Sequence, residues 1–315
     1  MNNYKWYSKA ALLALSLTAA TAATAAKADL VIENEFEIKE KNVFFLSPHP
    51  DDTLLTFGGL INNMQLTNQL EDKNVIGEVF FSMSNYTTNH LDELTNKRIF
   101  DVTTMRFNED LAAHIDMFKS LDKFRYKTNG FGDAPLRKYQ GSKTAGGGPG
   151  GDFADFRESE AQIYLRMAED MKPMLKTENC AVFVLIANGS HIDHFIVREA
   201  LIKAAYDLGD EVQCQIYFGE DQPYTGSNLR KRDDQYKSLK ERLPKGALTP
   251  RDYGVDYRYK MALYKKHYLS QYDASGYIPS LKKNKIERLY TWDKASYKKI
   301  KTHPHCKGEY CELND

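Results

Sequence analysis

Val43-Phe44-Phe45-Leu46-Ser47-Pro48-His49-Pro50-Asp51-Asp52-Thr53 is the stretch whose reading decides the fold. Its first four residues form an apolar run, as in a buried strand, and the run stops in a turn of prolines, a histidine and paired aspartates. Helical apolar spacing then resumes at Leu54, Leu55, Gly58 and Leu60. A strand that feeds a helix through such a turn is where an open α/β sheet carries its chemistry. Two adjacent carboxylates beside an imidazole repel each other in a half-dry turn. They call for a positive partner, most simply a divalent metal ion.

The same alternation continues outward. The pattern predicts strands over 42–46, 75–83, 124–126, 181–187 and 212–218, and helices over 54–70, 96–121, 157–175, 191–206 and 258–271. Within 96–121 the helical stripe is Ile99, Val102, Met105, Phe107, Leu111, Ile115 and Phe118. Strand and helix in turn predict an α/β fold, a Rossmann-like, mostly parallel sheet with helices on both faces. The run 181–187 is continuously apolar, as a buried parallel strand should be. It empties into Asn188-Gly189-Ser190-His191, with Ser190 expected to cap the next helix. Residues 129–156 hold Gly141, Gly146-Gly147-Gly148, Pro149 and Gly150-Gly151, too glycine-rich for an element. No Gly-Lys-Ser/Thr follows them, which excludes a phosphate-cradling loop. A stretch this long and irregular is expected to be a rim or lid beside the site. Residues 224–250 read as a polar connection.

His49 and Asp52 are three residues apart, as are His191 and His194, so each pair can face one way in a first helical turn. His49, Asp52 and His194 make a two-histidine, one-carboxylate set of the kind zinc accepts, and ligand type alone also admits iron or cobalt. Asp51 is then a free carboxylate beside the metal, and Asp193 is placed to orient an imidazole.

The Ser47-Pro48-His49-Pro50-Asp51-Asp52 run resembles the signature of the LmbE-like/PIG-L family of zinc-dependent N-acetylglucosamine deacetylases. Further matches follow in the same order: Arg106-x-x-Glu109-x-x-x-Ala113, then the His191-x-x-His194 pair, then residues 260–263 with Ser270-Gln271. The resemblance implies His49, Asp52 and His194 as ligands to Zn2+ and Asp51 as the general base toward the attacking water. It implies His191 as the group that stabilises the tetrahedral oxyanion, and Arg106 as a contact to sugar hydroxyls. Read from its helix alone, Arg106 is equally an i,i+3 partner of Glu109. The chain departs from the pattern at Thr53, where an acid is common, and at Ile192, where proline is common. No aromatic stands at 188–190.

Residues 1–28 read as a cleavable signal peptide, with Lys5 and Lys9 ahead of an apolar, small-residue stretch and Ala26-Lys27-Ala28 as the cleavage site. That leaves 29–315 as a single domain with a basic C-terminal extension and no later stretch of membrane-spanning length. Removal of the signal leaves 40 basic against 43 acidic residues, but residues 230–301 carry 20 Lys and Arg against 8 Asp and Glu. Such a face suits an anionic polysaccharide, or is simply a solvated lysine-rich surface. No nucleic-acid module is present, and nucleic acid is not an expected partner. In an exported chain the four cysteines favour disulfides, Cys180 with Cys214 and Cys306 with Cys311, over a second metal site at His303-Pro304-His305-Cys306. The expectation is a periplasmic or secreted N-deacetylase acting on an acetylated amino sugar. The alternatives are a zinc amidase on a non-sugar acyl amide and a non-catalytic sugar-binding module.

Overall fold

The structure, a computed structural model, describes residues 36–87, 95–119, 122–137, 160–189, 191–222, 224–227, 229–272, 285–303 and 313. The expected signal peptide, most of the glycine-rich stretch and the Cys306/Cys311 pair lie outside them. Strands β1 (Asn42–Ser47), β2 (Asn74–Val79), β3 (Phe124–Thr128), β4 (Cys180–Leu185) and β5 (Gln215–Gly219) pair in parallel. Strand β7 (Ile286–Trp292) adds antiparallel to β5, and β6 (Leu248–Gly254) adds antiparallel to β7. The sheet order is β3-β2-β1-β4-β5-β7-β6.

Alternation along the strands explains the two faces. Leu46, Val182, Val184, Ile216 and Phe218 point to one side. There they meet α3 (Ala161–Leu175) through Tyr164, Met167 and Met171, and α4 (Ile192–Leu208) through Ile196 and Ala200. Val43, Phe45, Ala181, Phe183 and Leu185 point to the other. They meet α1 (Asp52–Leu66) through Leu54, Phe57 and Ile61, α2 (Asn96–Phe118) through Met117, and α7 (Tyr257–His267) through Leu263 and Tyr264. Every residue of β4 is buried, as its unbroken apolar run requires. Phe183 stacks on Phe45 and on Tyr217, each at 4.9 Å between ring centres, contacts worth about 0.5–1.5 kcal/mol apiece beyond their area. Cys180 opens β4 and Cys214 directly precedes β5, so the neighbouring strands bring the two sulfurs into a disulfide.

The parallel half of the sheet is the one expected; the antiparallel edge is not. Residues 224–250, read as a connection, contain the short helix α5 (Tyr224–Ser227), helix α6 (Leu229–Glu241) and the start of β6. The α6 sequence LRKRDDQYKSLKE offers no apolar stripe from which a helix can be read. Strand β6 carries Pro250, Arg251 and Asp252, a composition tolerated because it is the outermost strand. Among the described residues no helix is long and apolar enough to cross a membrane.

Candidate metal centre

Strands β1 and β4 are parallel neighbours, yet the chain leaves β1 toward β2 on one side and β4 toward β5 on the other. The crevice beyond their carboxyl ends is therefore the switch point of the sheet. Into it run the turns at 48–51 and 186–189. In the first, Ser47 Oγ donates to the His49 carbonyl (2.7 Å) and His49 N donates to Asp52 Oδ2 (2.8 Å). Asp51, the residue before α1, sits at φ 93°, in the left-handed region that a non-glycine residue enters only under constraint. The second turn repeats the device with Ala187 at φ 69° and Gly189 at φ 88°. His191 takes the capping position expected of Ser190, its Nδ1 accepting from Asp193 N at 3.2 Å.

The turns bring His49, Asp52 and His194 together. Asp52 Oδ2 lies 3.2 Å from His49 Nδ1 and 3.4 Å from His194 Nε2, and those two nitrogens are 3.3 Å apart. A tetrahedral ion with bonds of about 2.0–2.1 Å needs ligand atoms separated by roughly 3.3–3.4 Å. The outer nitrogens of both rings are already committed. His49 Nε2 meets Asp193 Oδ2 at 2.8 Å, and His194 Nδ1 meets Asp221 Oδ1 at 2.5 Å. An ionised carboxylate only accepts, so each imidazole places its hydrogen there and turns its lone pair inward. With the inner nitrogens unprotonated, two nitrogen lone pairs and a carboxylate oxygen thus converge on one point, as a divalent cation requires.

A different trio, His49, His191 and His194, also lies close, with one nitrogen of each within 4.8 Å of the others. The tighter triangle with Asp52 is the better ligand set. His191 Nδ1 is taken by the Asp193 amide, which leaves Nε2–H as a donor when the ring is neutral. Burial and the nearby His49 hold His191 well below the ordinary histidine value.

Charge at the centre points the same way. Asp51, Asp52, Asp110, Asp133, Asp193 and Asp221 are all buried, whereas the guanidiniums among them are Arg106 and Arg137. Burial alone would lower His49, but hydrogen bonds to Asp193 and Asp52 outweigh it and raise the ring to about 10. Burial opposes the charge on Asp52 too, yet His194 and His49 bring it down to about 2. For Asp51, burial and then Asp52 push the carboxyl well above the ordinary range. The residues present therefore fit a divalent ion in chemistry, spacing and charge.

Arg106 is 4% exposed; Nη2 donates to the Pro50 carbonyl (3.1 Å) and lies 3.9 Å from Asp51 Oδ1, while Nη1 donates to Ser84 Oγ (3.2 Å). Glu109, three residues on, accepts from Ser270 N (2.8 Å) and Ser270 Oγ (2.6 Å), which ties α2 to the segment after α7. Asp193 does orient an imidazole, and it also accepts from Ala134 N (2.9 Å) and Arg137 Nη2 (2.5 Å). Asp110, Asp133, Arg137 and Asp221 escape sequence reading. Asp221 alone left a signal there, since Glu220-Asp221-Gln222 is a third acidic turn directly after a strand.

Solved structures share this architecture. The zinc-inhibited form of a teicoplanin deacetylase superposes with a TM-score of 0.54 at 16% identity, covering 79% of this chain and 97% of that one. A deacetylase complex from the teicoplanin biosynthesis pathway gives 0.55 at 17%, over 79% and 97%. A pseudoaglycone deacetylase of an antimicrobial reagent gives 0.52 at 19%, over 80% and 97%. No family model and no curated protein matches the chain. These likenesses establish the fold.

Proposed function

Since the chain has the fold of these deacetylases, we propose that it is a metal-dependent hydrolase of the LmbE-like/PIG-L kind that removes acetyl groups from N-acetylglucosamine-type sugars. The observation that carries this reading is the 3.2–3.4 Å triangle of His49, Asp52 and His194 with the uncoordinated carboxylate of Asp51 next in sequence to one of its corners. We assign the ion as zinc on the two-nitrogen, one-oxygen donor set. When bound, it supplies Lewis acidity to a water and to the amide carbonyl.

Asp51 is the general base. Its carboxylate stands beside the ligand triangle, with Oδ1 3.9 Å from Arg106 Nη2, and needs only to reach the proton of the attacking water. The water oxygen adds to the acetyl carbon as Asp51 takes up the proton. His191 offers Nε2–H to the carbonyl oxygen as it gains negative charge. As the C–N bond breaks, the proton passes to the departing nitrogen, leaving acetate and a free amine. Arg106 holds the turn that carries Asp51 through the Pro50 carbonyl, and sugar contacts would come through the same guanidinium.

We place the protein outside the cytoplasm. The charged and apolar pattern of residues 1–28 supports this, as does the Cys180–Cys214 disulfide, a bond that persists in oxidising compartments. The substrate is then a polysaccharide or cell-wall glycan, and the lysine-rich C-terminal third suits an anionic one. Acetate release by the metal-loaded protein from chitooligosaccharides, an anionic acetylated polysaccharide and acyl-peptides tests the reading. Release from the glycans, lost in Asp51→Asn with the metal retained, is expected. Release from acyl-peptides alone would move the protein to the non-sugar amidases, and no release from any substrate would leave a binding module.

A further inference from the structure

Asp110 lies on α2, is fully buried and takes no part in the ligand triangle. Three donors from three separate parts of the fold nevertheless converge on its carboxylate. Asp51 N donates to Oδ1 (3.2 Å), Tyr268 Oη donates to the same oxygen (2.5 Å), and Tyr126 Oη donates to Oδ2 (2.5 Å). His114, one turn along the helix, places Nδ1 3.3 Å from Oδ1 and 2.8 Å from the Asp110 carbonyl. Tyr126 belongs to β3, and Tyr268 follows the end of α7. Asp51 is the one residue of this group in the left-handed region.

The turn closes on itself through Asp52 N to the His49 carbonyl (3.4 Å) and Leu55 N to the Asp51 carbonyl (2.9 Å), but neither bond engages the Asp51 amide, which is held by Asp110 from outside the turn. A strained φ, ψ pair costs about 1–3 kcal/mol and persists only where its surroundings fix it. The second anchor on the turn, Arg106 to the Pro50 carbonyl, also comes from α2, one helical turn before Asp110. We propose that Asp110 is a positioning residue for the deacetylation reaction, fixing the backbone of Asp51 so that its carboxylate meets the attacking water, with Tyr126 and Tyr268 holding Asp110 in turn. This rests on Asp51 being the general base. The role is that of an acceptor at a fixed point rather than of a negative charge, which separates it from a purely electrostatic effect on Asp51.

The test uses the metal-loaded full-length protein and three variants. Asp110→Ala is expected to lower kcat on an acetylated chitooligosaccharide about 100-fold, the loss typical of a misplacement of about 1 Å. KM should stay within about twofold and the metal content should not change. Asp110→Asn keeps an acceptor toward the Asp51 amide, while the Tyr126 hydroxyl can rotate to accept instead. It should recover most of kcat. Hydrogen exchange in a peptide spanning the β1–α1 turn reads the contact with no substrate present, and the Asp51 amide should exchange at least tenfold faster in Asp110→Ala. If Asp110→Ala does not fold, Tyr268→Phe takes its place, with an expected loss of about tenfold in kcat and faster exchange of the same amide. Unchanged exchange overturns the proposal, and so do a retained kcat, a loss of metal in step with activity, or an Asn variant as impaired as Ala. A wild type that releases no acetate refutes the deacetylase reading instead, and the exchange experiment still judges the role of Asp110.

Discussion

Replacing Asp221 by asparagine isolates what a carboxylate outside the ligand triangle does for the metal. Its two oxygens serve two donors, His194 Nδ1 at 2.5 Å on Oδ1 and Asn188 N at 2.9 Å on Oδ2. Asparagine keeps the shape but offers one acceptor, so one of these donors must face an NH2 group. If the imidazole loses, the ring can turn or change tautomer, and its inward lone pair is no longer held on the point shared by Asp52 Oδ2 and His49 Nδ1. If the Asn188 amide loses, a buried N–H is left without an acceptor, at about 1–3 kcal/mol. Loss of such outer partners lowers metal affinity about 10–100-fold, equivalent to about 1.4–2.7 kcal/mol. The assay is competition for zinc against a chromogenic chelator, run beside thermal unfolding of the metal-free protein. Asp221→Asn is expected to weaken zinc binding at least tenfold. Affinity within twofold of the wild type would refute the claim that Asp221 fixes the tautomer and direction of His194.

Other outcomes follow from the same geometry. Glu199 is gripped by Arg242 through both oxygens (2.8 Å each) and by Arg198 Nε (2.8 Å). Burial alone would raise its pKa, but Arg242 and Arg198 hold it far below the ordinary carboxylate range. This stability is complete above the unfolded value of about 4.3 and is lost as pH falls toward the folded one. Glu199→Gln should therefore cost about 3–5 kcal/mol at neutral pH, by stranding the arginines, and the Tm gap to wild type should close in acid; a gap independent of pH would contradict the assignment. Removing the Cys180–Cys214 link, which closes a separation of 34 residues, should cost about 3–4 kcal/mol on the chain-entropy account, checked by urea unfolding of Cys180→Ala/Cys214→Ala. In Gly189→Ala the new methyl would lie 2.3 Å from Tyr224 Cγ at φ 88°. Both strains push Tyr224 off its seat near His194, where the ring centres are 5.9 Å apart. Stability should fall by about 1–3 kcal/mol and acetate release should fall with it; a variant as stable and active as wild type would show that the turn tolerates a side chain.

The strands and helices that bear the site were legible because each depends on local pattern. The apolar run of β1 stops at proline, the run of β4 stops at glycine, and the spacing of His49 to Asp52 and of His191 to His194 sets each pair on its own turn. Edge strand β6 was not legible, because an outer strand need bury little and can carry Pro250, Arg251 and Asp252. Asp193 could be anticipated from its place between two histidines. Asp110 could not, and Asp221 showed only as an acid in a turn after a strand, since nothing within their own helix or turn indicates that Asp51 and His194 lie against them.

By itself, then, the sequence determined the parallel α/β core and the two turns that carry His49, Asp51, Asp52, His191 and His194, all of which are set by neighbours a few positions apart. Only the tertiary structure decided that Asp52 Oδ2, His49 Nδ1 and His194 Nε2 stand 3.2–3.4 Å from one another. It also decided which carboxylate faces each remaining nitrogen and which buried acid holds Asp51 in its left-handed turn. Apart from the His49–Asp52 pair, three positions apart, these contacts join residues from 27 to 145 positions apart. Their geometry comes from the packing of strands and helices against one another, and short-range periodicity carries no information about it.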